Sequence, residues 1–169
     1  MDTEQAERMI QETVERYSGK LLVGAGTVLS IEDGLRAIEA GAQFLVSPAL
    51  EIEVLEYAVS KQVAFIPGVF TPSEMLQAHK AGASMVKLFP ASSLGSDFIK
   101  DVRGPLGHID IMTTGGITKE TARSYVEAGA AVIGAGSALV KKEFIQQKNW
   151  SDLKQEAESW LKKVSGGKL

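Results

Sequence analysis

A single lysine interrupts the apolar stretch ASMVKLFPA at residues 83–91. Burying an ammonium group without a partner is costly, so a lysine in this place needs a physical reason. Alternate side chains of a β-strand share a face, so Lys87 and Phe89 lie together, opposite Val86. If Lys87 faces a barrel interior, loss of water lowers its pKa and gives the neutral nucleophile that a Schiff base requires. The alternatives are an electrostatic ligand for phosphate and a surface lysine whose charge reaches water.

Two glycine loops offer a second kind of chemistry. TTGGITKE (113–120) and GAGSALV (134–140) each follow a predicted strand and, we expect, open a helix. Such loops present backbone N–H groups at a helix N-terminus, where an anion is stabilised. Either loop alone could serve only a tight turn. Together, on the last two strands, they predict a phosphate site of the kind common in βα barrels, with Ser137 as the hydroxyl donor.

Short apolar runs and intervening helical patterns position these residues. The runs have the character of buried strands and recur with roughly even spacing; they are LLVGAG (21–26), QFLVSP (43–48), VAFIPG (63–68), SMVKLFP (84–90), DIMTTGG (110–116) and AVIGAG (131–136). The repeated AGA of residues 40–42, 81–83 and 128–130 predicts helices that end in a left-handed glycine. Strands that alternate with helices at this spacing indicate βαβ units and a parallel sheet.

Capping residues and apolar spacing define the helices. Ser30 and Gly41 bound a predicted helix at 31–40, and Thr71 with Glu74 predicts a capping box before the helix at 72–80. The first helix is predicted from the spacing of Ala6, Met9, Ile10 and Val14. A terminal helix at about 150–164 is predicted with Leu153, Ala157, Trp160 and Leu161 on one face.

The strand ends favour a closed barrel over an open sheet. All six predicted strands finish in small or special residues, whereas an open sheet concentrates such features at one switch point. The sequence thus predicts an α/β fold of the TIM (β/α)8 type in a single domain, residues 1–169. A complete barrel has eight strands, so the six visible βα units leave two strands unaccounted for at the front.

Composition narrows the class of protein. The chain has a net charge of −3 with acidic and basic residues intermixed, two histidines and no cysteine. No basic stripe suggests nucleic acid, and no apolar run reaches the roughly 18 residues of a membrane helix. The acidic, polar start is unlike a secretory signal, and the lack of cysteine fits a cytoplasmic protein without a zinc site.

Six motifs resemble, in order and spacing, those of the class I aldolases for 2-keto-3-deoxy-6-phosphogluconate (KDPG) and 4-hydroxy-2-oxoglutarate (KHG). They are VGAGTVL (23–29), SPAL (47–50), IPGVFTPSE (66–74), VKLFPA (86–91), TTGGI (113–117) and GAGSALV (134–140). The resemblance implies a TIM-type barrel, usually a homotrimer, that uses no metal or other cofactor. It implies a lyase that cleaves KDPG to pyruvate and glyceraldehyde 3-phosphate, with KHG, which yields pyruvate and glyoxylate, as a further candidate substrate.

The resemblance also implies roles for individual residues. Lys87 corresponds to the lysine that forms an imine with pyruvate. Thr27 corresponds to a contact with the pyruvyl part of the substrate, and Pro48 and Phe89 line that pocket. The phosphate group is expected on the two glycine loops, at Thr114, Gly115, Gly116, Gly136 and Ser137.

The start of the chain departs from the family pattern. Family members begin with a strand, a helix and a second strand ending in E-V-T, whose glutamate is the general acid/base and is followed by a carboxylate-binding arginine. This sequence opens MDTEQAER, so the glutamate would precede residue 1 and the arginine position reads Asp2 or Thr3. We therefore expect a barrel without its first two strands. The alternative function is a catalytically impaired barrel fragment or phosphosugar-binding remnant.

Overall fold

The structure, a computed structural model, describes residues 1–166. It consists of two compact units, Met1–Lys87 and Leu88–Leu169, the second described as far as Gly166. Each unit alternates helices with short parallel strands, so the predicted α/β class is confirmed. Closure into a barrel and a single domain over residues 1–169 stay predictions.

The helices and strands follow the predicted order. The helices are α1 (Ala6–Tyr17), α2 (Ile31–Glu39), α3 (Ile52–Ser60), α4 (Pro72–Lys80), α5 (Gly95–Leu106), α6 (Lys119–Glu127), α7 (Lys142–Gln146) and α8 (Trp150–Ser165), with a short 3₁₀ helix at Ala91–Ser93. The strands are β1 (Gly24–Ala25), β2 (Phe44–Val46), β3 (Ala64–Ile66), β4 (Gly68–Val69), β5 (Met85–Leu88), β6 (Asp110–Thr114) and β7 (Val132–Gly134). The sequence predicted six strands, and the structure divides the third of them into β3 and β4.

Parallel pairing brings the carboxyl ends of successive strands to one edge. In the first unit β1, β2 and β3 pair in chain order, with Gly24 opposite Phe44 and Phe44 opposite Ala64. In the second unit β6 pairs with β7, with Thr114 opposite Gly134. The loops after β6 and β7 therefore begin side by side.

Local sequence signals set the helix ends as predicted. Ser30 accepts a hydrogen bond from the amide of Asp33 at 3.1 Å, so α2 starts at the predicted cap. The capping box before α4 is complete, because Thr71 accepts from the Glu74 amide and Glu74 accepts from the Thr71 amide. The glycines of the three AGA motifs have φ between 97° and 105°, which confirms the left-handed helix ends.

Each unit has an apolar core in which helices cover the strands. Fully buried side chains in the first unit include Leu45, Leu55, Phe65 and Met75, and those in the second include Leu88, Ile99, Ile109 and Ile111. The buried faces of two helices are narrower than the sequence predicts. On the first helix Ile10 is buried, while Met9, at the edge of the apolar face, is 56% exposed. On the last helix Trp160 is buried, while Leu161, at the edge of that face, is 59% exposed.

Within residues 1–166 no helix is long and apolar enough to cross a membrane.

We expect the Glu74→Ala substitution to destabilise the first unit by about 1 kcal/mol at neutral pH, as for other lost helix caps. The amides of Phe70 and Thr71 and the Thr71 hydroxyl donate to the Glu74 carboxylate, and these hydrogen bonds hold its pKa below the usual value. A depressed pKa stabilises the fold above the unfolded-state pKa, near 4.3, and this contribution is lost as the pH falls through the folded-state pKa. Urea unfolding at pH 7 and at pH 3 measures both effects.

Glu56→Ala, a change at an exposed position of α3, is the matched control. An equal loss of stability in the two variants at pH 7, or a Glu74→Ala effect that does not shrink at pH 3, would contradict the assignment.

Candidate active site

Lys87 lies on β5 with the orientation that strand alternation predicts. Val86 and Leu88 are fully buried, while Met85 and Lys87 on the other face are half-buried. The amide of Lys87 donates a 2.8 Å hydrogen bond to the carbonyl oxygen of Pro67, which fixes the register of this strand. Burial lowers the pKa of the Lys87 amine. Lys87 thus has the partly desolvated environment that favours a neutral, nucleophilic amine.

Thr27 follows β1 in an unusual backbone conformation. Its φ is 56°, a left-handed value that is rare for a β-branched residue and that is often found at functional sites. The next amide, that of Val28, donates to the carbonyl of Val46 at 3.1 Å and so ties this turn to the end of β2. A cavity of about 250 Å³ opens beside Thr27 and is lined also by Gly26, Ala25 and Met1.

Pro48 is held by a close backbone approach. A Cβ atom on Gly68 would collide with the carbonyl group of Pro48, so only glycine allows the two backbones to lie this close. The amide of Gly68 donates to the carbonyl of Ala49. The amide of Ala49 donates to the buried Ser47 hydroxyl. The ends of β1, β2, β3 and β5 are therefore linked in order, from the Thr27 turn through Pro48 to Lys87.

The two glycine loops of the second unit surround one cavity of about 220 Å³. All five residues predicted from the loop motifs line it, namely Thr114, Gly115, Gly116, Gly136 and Ser137. The cavity is also lined by four residues that the sequence analysis did not name, Ile117, Thr118, Gly134 and Ala138. They belong to the same two loop motifs, so their position in those motifs could have identified them. The pairing of Thr114 with Gly134 explains why loops 20 residues apart share a cavity. Phosphate binding at these residues stays a prediction.

The two glycine loops lead into different structures. The first opens α6, as predicted, and Thr118 is the capping residue of that helix. The second does not open a helix, and this prediction was wrong. The carbonyl of Gly136 accepts from the amides of both Leu139 and Val140, which closes a single turn, and the chain is extended again at Lys141 before α7. The helix dipole can therefore act at the first loop only, and the second offers backbone N–H groups and the Ser137 hydroxyl.

Phe89 packs on the first glycine loop. A Cβ atom on Gly115, whose φ is 91°, would lie 2.9 Å from the Phe89 ring, so the ring rests directly on this glycine. The amide of Ser92 donates to the carbonyl of Gly115 at 3.1 Å, and the Ser92 side chain lies against Gly116. Sequence reasoning missed Ser92, because nothing in its spacing indicates contact with a loop more than 20 residues away.

Acidic residues near the strand ends offer limited catalytic options. Glu51 occupies the capping position of α3, but its side chain makes no capping hydrogen bond. Asp110 begins β6 and so lies at the opposite end of that strand from Thr114. Among residues 1–166, no group of three or more His, Cys, Asp or Glu side chains is arranged to hold a metal ion. The expectation of a metal-free reaction stays a prediction.

A family model described as "Aldolase: KDPG and KHG aldolase" matches residues 1–156. The chain therefore belongs to the KDPG and KHG aldolase family. It is 39% identical over 135 residues, 79% of its length, to a protein of Rhizobium meliloti (strain 1021) named "Probable 2-dehydro-3-deoxy-6-phosphogalactonate aldolase". It spans 64%, 69% and 63% of the lengths of the first three curated relatives that it matches.

Two solved structures share the fold of this chain. The structure described as "Native KDPGal structure" superposes with a TM-score of 0.86 at 31% identity, over 97% of this chain and 80% of that one. A KDPG aldolase from Legionella pneumophila superposes with a TM-score of 0.83 at 28% identity, over 92% of this chain and 76% of that one. The Legionella structure holds "pyruvate captured at low pH as a covalent carbinolamine intermediate".

We expect Lys87→Met to raise the midpoint of thermal unfolding at pH 7. The folded protein holds the charged amine in a poorly solvated place, whereas the unfolded chain leaves it in water. Because the folded-state pKa is lowered, the folded protein binds fewer protons than the unfolded chain between the two pKa values. The wild type therefore regains stability as the pH rises through that window, and the difference between variant and wild type shrinks towards pH 10.4.

Calorimetry at pH 7 and near pH 10 tests this expectation. Lys61→Met, at an exposed position just after α3, is the control and should show no gain. A Lys87→Met midpoint at or below that of the wild type at pH 7 would show that burial does not penalise the Lys87 charge.

Proposed function

We propose that this chain carries the Schiff-base active site of an aldolase that splits a phosphorylated 2-keto-3-deoxy sugar acid into pyruvate and glyceraldehyde 3-phosphate. The half-buried Lys87, whose pKa is lowered by burial, is the observation that carries the proposal. Family membership and the covalent pyruvate of the Legionella relative support it. KHG, which would yield pyruvate and glyoxylate, is a further substrate under the same proposal.

The proposed reaction starts with attack of the neutral Lys87 amine on the C2 ketone, followed by loss of water to give an iminium ion. The C3–C4 bond then breaks, its electron pair moves into the iminium group, and the C4 hydroxyl proton leaves with a base. Glyceraldehyde 3-phosphate departs and an enamine remains. Protonation at C3 and hydrolysis of the resulting iminium release pyruvate and restore the amine. No cofactor takes part in this proposed scheme.

The other site residues bind the substrate in this proposal. Thr27, Pro48 and Phe89 contact the pyruvyl part, and the glycine loops hold the phosphate through backbone N–H groups and the Ser137 hydroxyl. Proton transfer needs a positioned acid/base, a contribution typically worth 10²–10⁴-fold. We propose further that the strands belong to a TIM-type barrel, and that the protein acts as a cytoplasmic homotrimer.

A catalytically impaired fragment is the second candidate. It is favoured by the placement of Asp110, which begins β6 and so lies at the end of that strand opposite Thr114. Such a fragment would retain Lys87 and the glycine loops but would turn over slowly without a general acid/base. The two candidates therefore differ in release of glyceraldehyde 3-phosphate rather than in formation of the imine.

We expect pyruvate and sodium borohydride to add one reduced pyruvyl group to this chain, at Lys87. Burial lowers the pKa of that amine, so a larger fraction of it is neutral than of a lysine amine in water. Intact mass and peptide mapping measure the adduct and its position. Lys87→Met should abolish it, and Lys80→Met, at an exposed position of α4, should not.

Failure of the folded wild type to form the adduct would contradict the proposed function. An adduct together with rapid cleavage of the phosphorylated gluconate-derived or galactonate-derived acid supports the working aldolase. An adduct without measurable cleavage of either acid supports the impaired fragment.

We expect Ser137→Ala to weaken binding of the phosphorylated substrate by roughly 10- to 150-fold, as for one lost hydrogen bond to a charged group. The hydroxyl lies at the glycine-loop cavity, so KM should rise while pyruvate trapping at Lys87, which involves no phosphate, stays unchanged. Ser60→Ala on α3 is the matched control. Equal KM values for Ser137→Ala and the wild type would remove Ser137 from the phosphate site.

A further inference from the structure

Tyr125 carries a buried phenol that the proposed chemistry does not use. It lies on α6 and is only 5% exposed, and its hydroxyl donates to the carbonyl oxygen of Ala91 at 3.3 Å. Burial raises the pKa of this hydroxyl, so it keeps its proton and remains a donor. The hydrogen bond joins α6 to the chain just four residues beyond Lys87.

Residues 89–92, here called the post-lysine segment, contact the rest of the second unit at three points. The Phe89 ring rests on Gly115, and the amide of Ser92 donates to the Gly115 carbonyl. The Tyr125 hydrogen bond reaches Ala91, which lies between these two attachments. The glycine loop thus holds the ends of the segment, and α6 holds its middle.

Packing alone does not require the Tyr125 hydroxyl, because phenylalanine would supply the same ring. Burying a hydroxyl is unfavourable unless it finds a hydrogen-bond partner, and the flanking buried residues of this helix region, Ala122 and Ala128, are apolar. The Ala91 carbonyl is the acceptor that the structure gives it. The Tyr125 hydroxyl therefore helps to hold the post-lysine segment in place and is not needed to fill the core.

We propose that Tyr125 is a positioning residue for the reaction at Lys87, acting through Ala91 on the placement of Phe89. This inference rests on the proposed function. Without the hydroxyl the Ala91 carbonyl loses this partner, and the post-lysine segment samples more conformations. Phe89 then lines the pyruvyl pocket for less of the time, so keto-acid binding weakens. Protonation of Lys87 depends on its burial on β5 and should not change.

Tyr125→Phe is expected to raise the pyruvate concentration that half-saturates trapping at Lys87 by roughly 3- to 10-fold, as for one lost hydrogen bond. The limiting trapping rate and the pH midpoint of trapping should match the wild type. Amide exchange at residues 91–94 should accelerate, because the middle of the segment is released. The measurements use the full chain, with pyruvate and cyanoborohydride as probes, well below the unfolding temperature.

Two further variants separate positioning from general stability. Tyr57→Phe removes a phenol hydroxyl from α3 and should leave half-saturation unchanged. In a Phe89→Leu background, Tyr125→Phe should add no further loss, because the residue through which it acts is already changed. Additive effects of the two substitutions would overturn the proposed route through Phe89.

The remaining outcomes each decide the question. Wild-type half-saturation in a folded Tyr125→Phe protein would overturn the positioning role and leave the proposed function standing. A shifted pH midpoint would also overturn it, because the hydroxyl would then act on the amine of Lys87 rather than on the segment. Absence of trapping in the wild type would overturn both, since no reaction would remain for Tyr125 to support.

Discussion

The hydrogen bond from the Lys87 amide to the Pro67 carbonyl fixes the register of β5, and the chemistry of the site depends on that register. Side chains alternate along a strand, so a slip of one residue would exchange the faces of Lys87 and Val86. In the observed register Val86 and Leu88 are fully buried, and Lys87 is only partly withdrawn from water. This intermediate environment lowers the pKa of the amine without burying it against an apolar core.

Close backbone approaches position the residues around each strand end. Gly68 lets the backbone touch Pro48, and Gly115 lets the Phe89 ring rest on the loop after β6. A side chain at either position would push the neighbouring segment away. Parallel pairing adds a further constraint, because Thr114 opposite Gly134 starts two glycine loops at the same edge. The result is a set of backbone groups and side chains held by main-chain geometry.

The proposed substrate, a phosphorylated keto acid, has two groups that need different environments. The ketone needs an amine that has lost its proton, which burial favours. The phosphate needs N–H groups that remain accessible, which glycine loops provide. Members of this family are named as aldolases, which is consistent with a partly buried amine and glycine loops in one chain. The chain spans 64% and 63% of the lengths of two of its relatives.

The features that depend on neighbouring residues could be predicted from the sequence. The capping box at Thr71, the left-handed glycines of the AGA motifs and the face of Lys87 follow from local backbone and side-chain chemistry. Only the tertiary structure shows the exposure of Met9 and the contacts of Ser92 and Tyr125. These join segments far apart in sequence, or depend on what covers a helix face. Periodicity shows which face is apolar, but only packing shows what lies against it.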